Sequence, residues 1–308
     1  MVNLNETDVN QRELDVLNEL EAIFDRDFFL VDTIKSKTNF AVSVEESNII
    51  GISLYQLGLN EFPNSLLKLN HLQTINLNQN ELMSLPQKIG EFECLKMLYL
   101  KGNNLLTLPD SIGCLNSLQE LHLEGNSLES LPDSLGDLGS LKKIWLEGNS
   151  LKKLPDTIGN IKHLKVLDLE GNNLRELPES IGDLPKLKKI WLHKNKLNTL
   201  PESFGTLFSL QELYVYKNNL ETIPESIGNL VNLKELYLND NRLFELPNSI
   251  ENLRSLEVLN LNSNRLGTLP ETMGNLRSLK ELYLLNNKSV SIPKSVNNLR
   301  AFGTKIFK

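Results

Sequence analysis

Residues 141–163, LKKIWLEGNSLKKLPDTIGNIKH, follow the pattern LxxLxLxxNxLxxLPxxIGxLxx, which recurs along the chain at a fixed step of 23 residues. Proline keeps that step from Pro63 to Pro293. The asparagine of the pattern falls in one register at Asn80, Asn103, Asn126, Asn149, Asn172, Asn195, Asn218, Asn241, Asn264 and Asn287. A repeat of this length without insertions predicts an α/β solenoid, in which each copy packs against its neighbours.

The residue types within one copy predict its local structure. Ile144 and Leu146 alternate with Trp145 and Glu147, so the first pair should face inward and the second pair outward on a short strand. Stacking of successive copies would then form a parallel sheet. Further residues of the copy should point back into the core: Leu151, Leu154, Ile158 and Ile161.

Proline, glycine and asparagine each have a predicted role in the copy. Pro155 fixes φ at the start of a short helical turn, and Gly159 is expected to end that turn. Asn149 is predicted to be a buried amide that satisfies backbone groups where the strand turns away. Replacing Asn149 by Ala should therefore cost roughly 1–3 kcal/mol, because those groups would lose their partners.

Residues 1–48 do not match the repeat and are predicted to form an N-terminal capping segment. Asn10 followed by Glu13 resembles a capping box, which marks the start of a helix. Apolar residues then recur at helical spacing at Leu14, Leu17, Leu20, Ile23 and Phe24. The segment therefore contains one predicted amphipathic helix.

A predicted β-hairpin completes the capping segment. In its first strand, FAVSV, large apolar side chains recur at every second residue. The turn is EESN, and the second strand, IIGISL, would be the first strand of the array. The alternating residues are Phe40, Val42 and Val44. We interpret residues 1–48 as a cap on the apolar core. The alternative is a docking module whose acidic helix attracts a basic partner, and deletion of the segment separates the two, because only loss of a cap should unfold or aggregate the protein.

The repeat array is predicted to run over residues 49–301 as about 11 copies with the sheet on the concave face of a curved solenoid. Residues 302–308 are predicted to form a C-terminal closing segment. Within it, Phe302 and Phe307 lie at roughly strand register. A degenerate closing strand is therefore expected at this end.

The charge distribution argues against several kinds of partner. Residues 1–48 hold 11 acidic and 4 basic side chains, so the net charge of −7 resides there, and the remainder, with 28 of each sign, is neutral. A neutral array argues against a nucleic-acid partner. No polybasic or strongly amphipathic basic helix favours a membrane surface.

The beginning of the sequence and its cysteines favour a cytoplasmic location. The first 30 residues carry six acidic side chains between Glu6 and Glu21 and no apolar run of signal-peptide or membrane-span length, so membrane insertion is not expected. Extracellular repeat proteins usually carry cysteine-rich ends, whereas the ends of this sequence have none, so Cys94 and Cys114 are expected to be reduced.

The motif LxxLxLxxNxLxxLPxxIGxLxx resembles the leucine-rich repeat family, in particular its 23-residue LPxxIGxL class. That class occurs in intracellular scaffold proteins of the Ras-suppressor and scribble/Erbin types and in many bacterial and archaeal proteins. The resemblance covers about residues 49–300. It implies a curved solenoid whose concave parallel sheet is usually a protein-binding surface. It also implies that the binding residues lie at the variable positions of the repeat.

The sequence shows no catalytic constellation. P-loop, GxSxG, HExxH and CxxC motifs are all missing, so neither an enzyme nor a cofactor or metal site is predicted. The four histidines fall at different places in different copies, and each is interpreted as a surface residue. They are His71, His122, His163 and His193.

The outward positions of the predicted sheet hold the candidate binding residues. Both tryptophans and four of the six tyrosines lie between the inward strand residues, in the row Tyr99, His122, Trp145, Asp168, Trp191, Tyr214, Tyr237 and Tyr283. A second outward row, two residues further along each copy, contributes Glu124, Glu147, Glu170, His193 and Tyr216. Trp and Tyr are enriched at binding hot spots, so the rows predict a partner-binding face. The alternative is a cross-strand stacking ladder worth roughly 0.2–1 kcal/mol per pair.

Carboxylates beside the aromatic rings suit a partner that presents Lys or Arg, through cation–π and carboxylate contacts. The alternative is a solvated charge ladder in which these carboxylates pair with Lys142, Lys143 and Lys165. The sequence thus favours a non-enzymatic scaffold for a protein or peptide, anchored by Trp145, Trp191, Tyr214 and Tyr237. Carbohydrate or small-ligand binding on the aromatic stripe is the alternative function, since aromatic platforms also stack sugars.

Overall fold

The computed structural model describes residues 9–288 and 290–308, so the first eight residues of the predicted cap lie outside the described part. The chain divides into two compact units, residues 1–150 and 151–308, and each is described by itself. In both units the strands follow one another in chain order, and from β3 onward they are short parallel strands connected through segments that contain 3-10 turns. This architecture is the predicted solenoid.

The first unit contains helix α1, Gln11–Phe24. Its strands are β1 Phe29–Leu30, β2 Ala41–Glu45, β3 Asn48–Ser53, β4 Thr74–Asn76, β5 Met97–Tyr99, β6 Glu120–His122 and β7 Lys143–Trp145. β2 and β3 form the predicted antiparallel hairpin, and β3 to β7 pair in parallel. The parallel strand β1 beside β2 was not predicted.

The second unit continues with β8 Val166–Asp168, β9 Lys189–Trp191, β10 Glu212–Tyr214, β11 Glu235–Tyr237, β12 Val258–Asn260, β13 Glu281–Tyr283, the short helix α2 Lys294–Asn297 and β14 Lys305–Phe307. β14 pairs in parallel with β13 and places Phe307 opposite Tyr283, which confirms a closing strand at this end. Phe302 lies in the preceding 3-10 turn, Asn298–Phe302, and is exposed rather than part of that strand.

The core of each unit is built from the repeated leucines and isoleucines. Ile144 and Leu146 are fully buried in the first unit, while Trp145 and Glu147 are only half-buried, as the alternation predicts. The four residues expected to point inside are also buried: Leu151, Leu154, Ile158 and Ile161. A strand of three residues suffices here because neighbouring copies supply the rest of the apolar environment.

The repeated asparagines form the predicted buried ladder. Asn149 Nδ2 donates to the carbonyl oxygens of Leu123 (2.9 Å) and Leu146 (3.0 Å), and its Oδ1 accepts from the Leu128 N–H (3.1 Å). Asn195 makes the equivalent three bonds in the second unit. Each amide thus satisfies backbone groups at the point where the chain leaves the strand.

The glycine of the repeat has a different role from the one predicted. Pro155, with φ −69°, precedes the 3-10 turn Asp156–Asn160, and Gly159 lies inside that turn rather than at its end. A Cβ atom on Gly159 would lie 2.3 Å from the carbonyl oxygen of Ser180 in the next copy. Glycine is therefore required by the close approach of neighbouring turns and not by termination of one turn.

Helix α1 begins at the predicted place, but its Glu13 side chain bonds to the hairpin and not to the start of the helix. The Asn10 side chain caps the helix, whereas the expected return bond from Glu13 is absent because the Asn10 N–H donates to the Ser47 carbonyl. Glu13 Oε2 instead accepts from the buried Ile49 N–H at 2.7 Å. Ile23, expected on the apolar face, is 63% exposed. The buried apolar face consists of Val16, Leu17 and Leu20.

The segment between β1 and β2 covers the first outward positions of the sheet. Asn76 Nδ2 donates to the Lys35 carbonyl and Asn78 Nδ2 to the Ser36 carbonyl, both at 2.9 Å. Asn76 is therefore fully buried although the alternation places it outward. Among the described residues, no helix is long and apolar enough to cross a membrane.

Candidate functional site

The aromatic residues of the first unit stack on one another at the ends of β5, β6 and β7. The ring centroids of Tyr99 and His122 are 4.5 Å apart, and those of His122 and Trp145 are 3.9 Å apart with an interplanar angle of 13°. This stacking follows from the strand register, which pairs the three residues directly. A cross-strand ladder is therefore present.

The second unit carries a matching stack on β9, β10 and β11. Trp191 and Tyr214 are 5.9 Å apart and Tyr214 and Tyr237 4.9 Å apart, with nearly parallel planes. Tyr283 stacks separately on Phe307 of the closing strand at 4.6 Å. Trp191 is in register with Asp168, whose carboxylate accepts from the backbone N–H of Glu170 at 3.0 Å.

The rows are less exposed than the sequence predicts. Trp145, Trp191, Tyr214 and Tyr237 are half-buried, but Tyr99 is only 7% exposed. Its ring packs against the neighbouring imidazole, and burial raises the pKa of Tyr99, with the nearby carboxylates acting in the same direction. The outward strand position of Tyr99 therefore does not expose its ring to solvent.

His193 of the second outward row is also buried rather than superficial. It is 5% exposed, stacks on Tyr216 at 4.2 Å and places Nε2 2.7 Å from Glu170 Oε2. Burial lowers the pKa of His193, with Lys194 and Lys217 acting in the same direction and Glu170 opposing them. The interpretation of this histidine as a surface residue was wrong, because Tyr216 covers a face of the imidazole ring and Glu170 contacts its Nε2.

Carboxylates orient the tyrosine hydroxyls of the second unit. Tyr214 Oη donates to Glu235 Oε2 at 2.7 Å, and Tyr283 Oη donates to Glu281 Oε2 at the same distance. Burial raises the pKa of Tyr214, and the hydrogen bond to Glu235 and nearby carboxylate charge raise it further. These phenols remain neutral donors, and their rings are held in one orientation.

Several carboxylates already have a cation partner in the same unit, as the charge-ladder alternative requires. The pairs are Glu120 with Lys143 at 2.9 Å, Glu212 with Lys189 at 2.6 Å and Glu170 with Lys194 at 2.6 Å. Lys143 was predicted as such a partner, whereas Lys142 donates instead to Gln119. Glu147, also in the second outward row, is half-buried.

Glu124 differs from the paired carboxylates. It is 8% exposed, its Oε1 lies 3.6 Å from His122 Nδ1 and 3.7 Å from Lys101 Nζ, and its buried Oε2 has no hydrogen-bond partner within residues 9–288 and 290–308. Burial acts to raise the pKa of Glu124, but hydrogen bonding from His122 and its own backbone, together with nearby positive charge, lowers it overall. The carboxylate is therefore ionised at neutral pH and incompletely satisfied.

Glu124 lines a pocket of about 220 Å³ at the junction of the capping segment and the sheet. The lining residues are Ser36, Lys37, Tyr55, Asn78, Gln79, Lys101, His122 and Glu124. Sequence reasoning identified only His122 and Glu124 among them as site residues. The 23-residue step relates Tyr55, Asn78 and Lys101 to Glu124 and could have placed them in one row, but no sequence signal placed residues 36–37 above that row.

Neither a metal cluster nor a disulfide is formed by the described residues. Over residues 9–288 and 290–308, no three or more His, Cys, Asp or Glu side chains are grouped so as to hold a metal ion. Cys94 and Cys114 are both free and exposed.

Two plant receptors are among the solved structures similar to this chain. The plant peptide hormone receptor RGFR1, in complex with RGF2, is 30% identical with a TM-score of 0.71, covering 88% of this chain and 43% of the receptor chain. The leucine-rich repeat ectodomain of the membrane receptor kinase GASSHO1/SCHENGEN3 from Arabidopsis thaliana, in complex with CASPARIAN STRIP INTEGRITY FACTOR 2, is 28% identical with a TM-score of 0.64, covering 86% and 35%. This chain thus spans less than half the length of either receptor.

More distant similarity and a family model complete the comparison. An internalin, inlF, from Listeria monocytogenes is 16% identical with a TM-score of 0.62 over 95% of this chain and 87% of its own, a likeness of fold alone. No curated protein sequence matches. The family model described as a leucine-rich repeat region matches residues 52–144, 129–224 and 218–303. This chain belongs to the leucine-rich repeat family.

Proposed function

We propose that this chain is a non-enzymatic scaffold that binds a protein or peptide on the outward face of its sheet, with Trp145, Trp191, Tyr214 and Tyr237 as anchors. The observation that carries the proposal is the placement of the large rings. Every Trp and Tyr of the chain lies in the two outward rows, and these four are half-buried rather than part of the core. Partly exposed Trp and Tyr are the residue types that dominate binding energy at protein interfaces.

Stacking prepares these rings for binding. Tyr214 lies between two nearly parallel rings, and its hydroxyl is held by Glu235. A side chain that is already ordered loses little rotamer freedom when a partner docks on it, so more of the contact energy contributes to affinity. The ladder that stabilises the sheet therefore also supports the proposed interface.

The similar receptors support a peptide or protein as the partner. RGFR1 and GASSHO1/SCHENGEN3 were each solved in complex with another named factor, and both match this chain over more than four-fifths of its length. Because this chain covers less than half of either receptor, the likeness supports the class of partner and not its identity.

The geometry of the two rings in the middle of the stacks, His122 and Tyr214, favours a protein partner over a carbohydrate. Sugars bind to aromatic side chains by stacking on an open ring face. Both faces of His122 and both faces of Tyr214 are occupied by neighbouring rings. What these rings offer to a partner is mainly their edges and the carboxylates beside them.

We also propose that the partner presents Lys or Arg and that binding takes place in the cytoplasm. Glu235 and Glu281 lie beside the tyrosine hydroxyls and keep further lone pairs for a basic group. The free, exposed cysteines are compatible with a reducing compartment. Fractionation of source cells with an antibody against the chain tests the location.

Affinity capture tests the binding proposal. The wild-type chain and a Trp145→Ala, Trp191→Ala double variant would be used as baits in lysate from the source organism. A matched Phe208→Ala, Phe244→Ala variant removes two exposed rings outside the outward rows and serves as control. Melting curves check that all three are folded.

We expect the tryptophan variant to lose a partner that the wild type and the phenylalanine variant retain, with a fall in affinity of at least about 30-fold if either ring is a hot spot. Retention of the same partners by the tryptophan variant would show that this face is not the interface. Quenching of tryptophan fluorescence by a panel of sugars, without any response to a captured protein, would favour the carbohydrate alternative.

A further inference from the structure

The pocket beside Glu124 differs from the rest of the outward face because two parts of the chain build it. One wall is the segment between β1 and β2 at residues 36–37, and the other is the sheet row that contains Tyr55, Lys101 and Glu124. Its volume of about 220 Å³ is below that of pockets for drug-sized ligands and is on the scale of a single side chain. Its shape therefore suits one projecting group.

The chemistry of the pocket points to a positively charged hydrogen-bond donor. Glu124 is 8% exposed and ionised, and its Oε2 lacks a hydrogen-bond partner among the described residues. A buried carboxylate oxygen without a donor is costly, and a donor that carries a positive charge satisfies it best. Tyr55 and His122 add aromatic lining next to this carboxylate.

The two lysines of the pocket do not fill this role. Lys101 Nζ lies 3.7 Å from the other oxygen of Glu124, beyond hydrogen-bond distance, and its side chain is 49% exposed. Lys37 is exposed. Both side chains are more exposed than Glu124, whose side chain is 11% exposed.

We propose that this pocket is a subsite for an arginine side chain of the bound peptide, with Glu124 accepting from the guanidinium group. A guanidinium group is planar, stacks on aromatic rings and is weakly hydrated, so it enters a half-enclosed pocket more readily than an ammonium group. The inference rests on the proposed function, because it names one residue of the proposed partner. It also places the start of the binding surface against the capping segment.

The test uses a small probe and the full chain. N-acetyl-L-arginine amide is titrated into isotope-labelled protein while the backbone amide signals of Gln79, Lys101 and Glu124 are followed by NMR. N-acetyl-L-citrulline amide, which has nearly the same shape and no charge, is the control ligand. N-acetyl-L-glutamate amide tests whether the lysines make this an anion site instead.

The matched variants are Glu124→Gln and Glu93→Gln, and Glu93 is an exposed carboxylate of the same unit that lies outside the outward rows. We expect saturable shifts at the pocket with the arginine probe, weakened about tenfold or more by Glu124→Gln and left unchanged by Glu93→Gln. The citrulline probe should also bind at least about tenfold more weakly. Melting curves confirm that each variant is folded.

The proposal is overturned if the arginine probe gives no shifts at these signals up to its solubility limit. Equal binding by the Glu124→Gln variant, or tighter binding of the glutamate probe, also overturns it. Each of these results leaves the tryptophan-dependent capture experiment untouched. Conversely, arginine binding at the pocket together with partner capture that does not need the tryptophans would retain the subsite and reject the proposed interface.

Discussion

Replacing Asn149 by Ala is the sharpest test of how the repeat is stabilised. Its Oδ1 accepts from the buried Leu128 N–H at 3.1 Å, and its Nδ2 donates to two leucine carbonyls. Loss of the amide would affect the backbone N–H and the backbone carbonyls differently. The Leu123 carbonyl also accepts from Asn126 at 2.9 Å and would keep that bond, whereas the Leu128 N–H would lose the acceptor it has here.

The expected cost follows from this distinction. A buried N–H left without a partner costs about 1–3 kcal/mol, and each lost bond to a carbonyl that is otherwise satisfied contributes about 0.5–1 kcal/mol. The sum predicts that Asn149→Ala lowers the free energy of unfolding by about 2–5 kcal/mol. The loss should be local to the backbone of two successive copies, because the amide bonds only to these copies within the first unit.

Urea denaturation followed by circular dichroism measures this free energy. Asn116→Ala is the matched control, because Asn116 is an exposed asparagine of the same unit, and it should change stability by less than about 0.5 kcal/mol. The denaturant slopes must be compared as well, since a reduced slope would indicate that part of the solenoid unfolds separately. If Asn149→Ala and Asn116→Ala melt alike, the buried amide does not carry the role assigned to it.

Three further predictions concern packing, the cap and pH. Gly113→Ala should lower the free energy of unfolding by about 1–3 kcal/mol, because its Cβ would lie 2.3 Å from a carbonyl oxygen of the next copy. The control Gly139→Ala, whose Cβ would have its nearest contact at 3.9 Å, should be neutral or slightly stabilising in the same urea assay. Glu13→Ala removes the buried acceptor for the hairpin backbone and should cost about 1.5–3 kcal/mol, against little for Glu19→Ala at an exposed ion pair; equal effects would contradict the structural role of Glu13. Burial lowers the pKa of His193, so on acidification the unfolded chain takes up a proton at a higher pH than the folded chain does. The free energy of unfolding should therefore have its full value above about pH 6.5 and fall as the pH drops from there toward the lowered pKa. A His193→Gln variant should lose that part of the pH dependence, and a wild-type protein that gains stability on acidification through this range would contradict the direction.

The sequence alone was sufficient for the repeat architecture because the relevant information is local and recurs in every copy. The alternation around Trp145 sets which strand residues face the core, and Pro155 fixes φ just before the turn that follows. Asn149 is predictable for the same reason, since an amide at a fixed place in each copy meets the same backbone groups each time. A 23-residue period converts these local preferences into one stacked structure.

The tertiary structure decided every feature that depends on what lies on the neighbouring strand or turn. Gly159 looks like a helix terminator in the sequence, but the carbonyl oxygen of the next copy is what excludes a side chain there. Glu13 looks like part of a capping box, yet its oxygen bonds to Ile49, 36 residues away. Such contacts leave no trace in local periodicity.

The candidate site shows the same division. The sequence predicted that the tryptophans and tyrosines lie in two outward rows, because their positions follow the strand alternation. It did not show that Tyr99 and His193 are buried by their neighbours, or that Glu124 lines a pocket and keeps a buried oxygen without a partner among the described residues. The pocket exists only because residues 36–37 cross over strands that are far from them in the chain, and the position of that crossing is set by tertiary packing and not by the repeat.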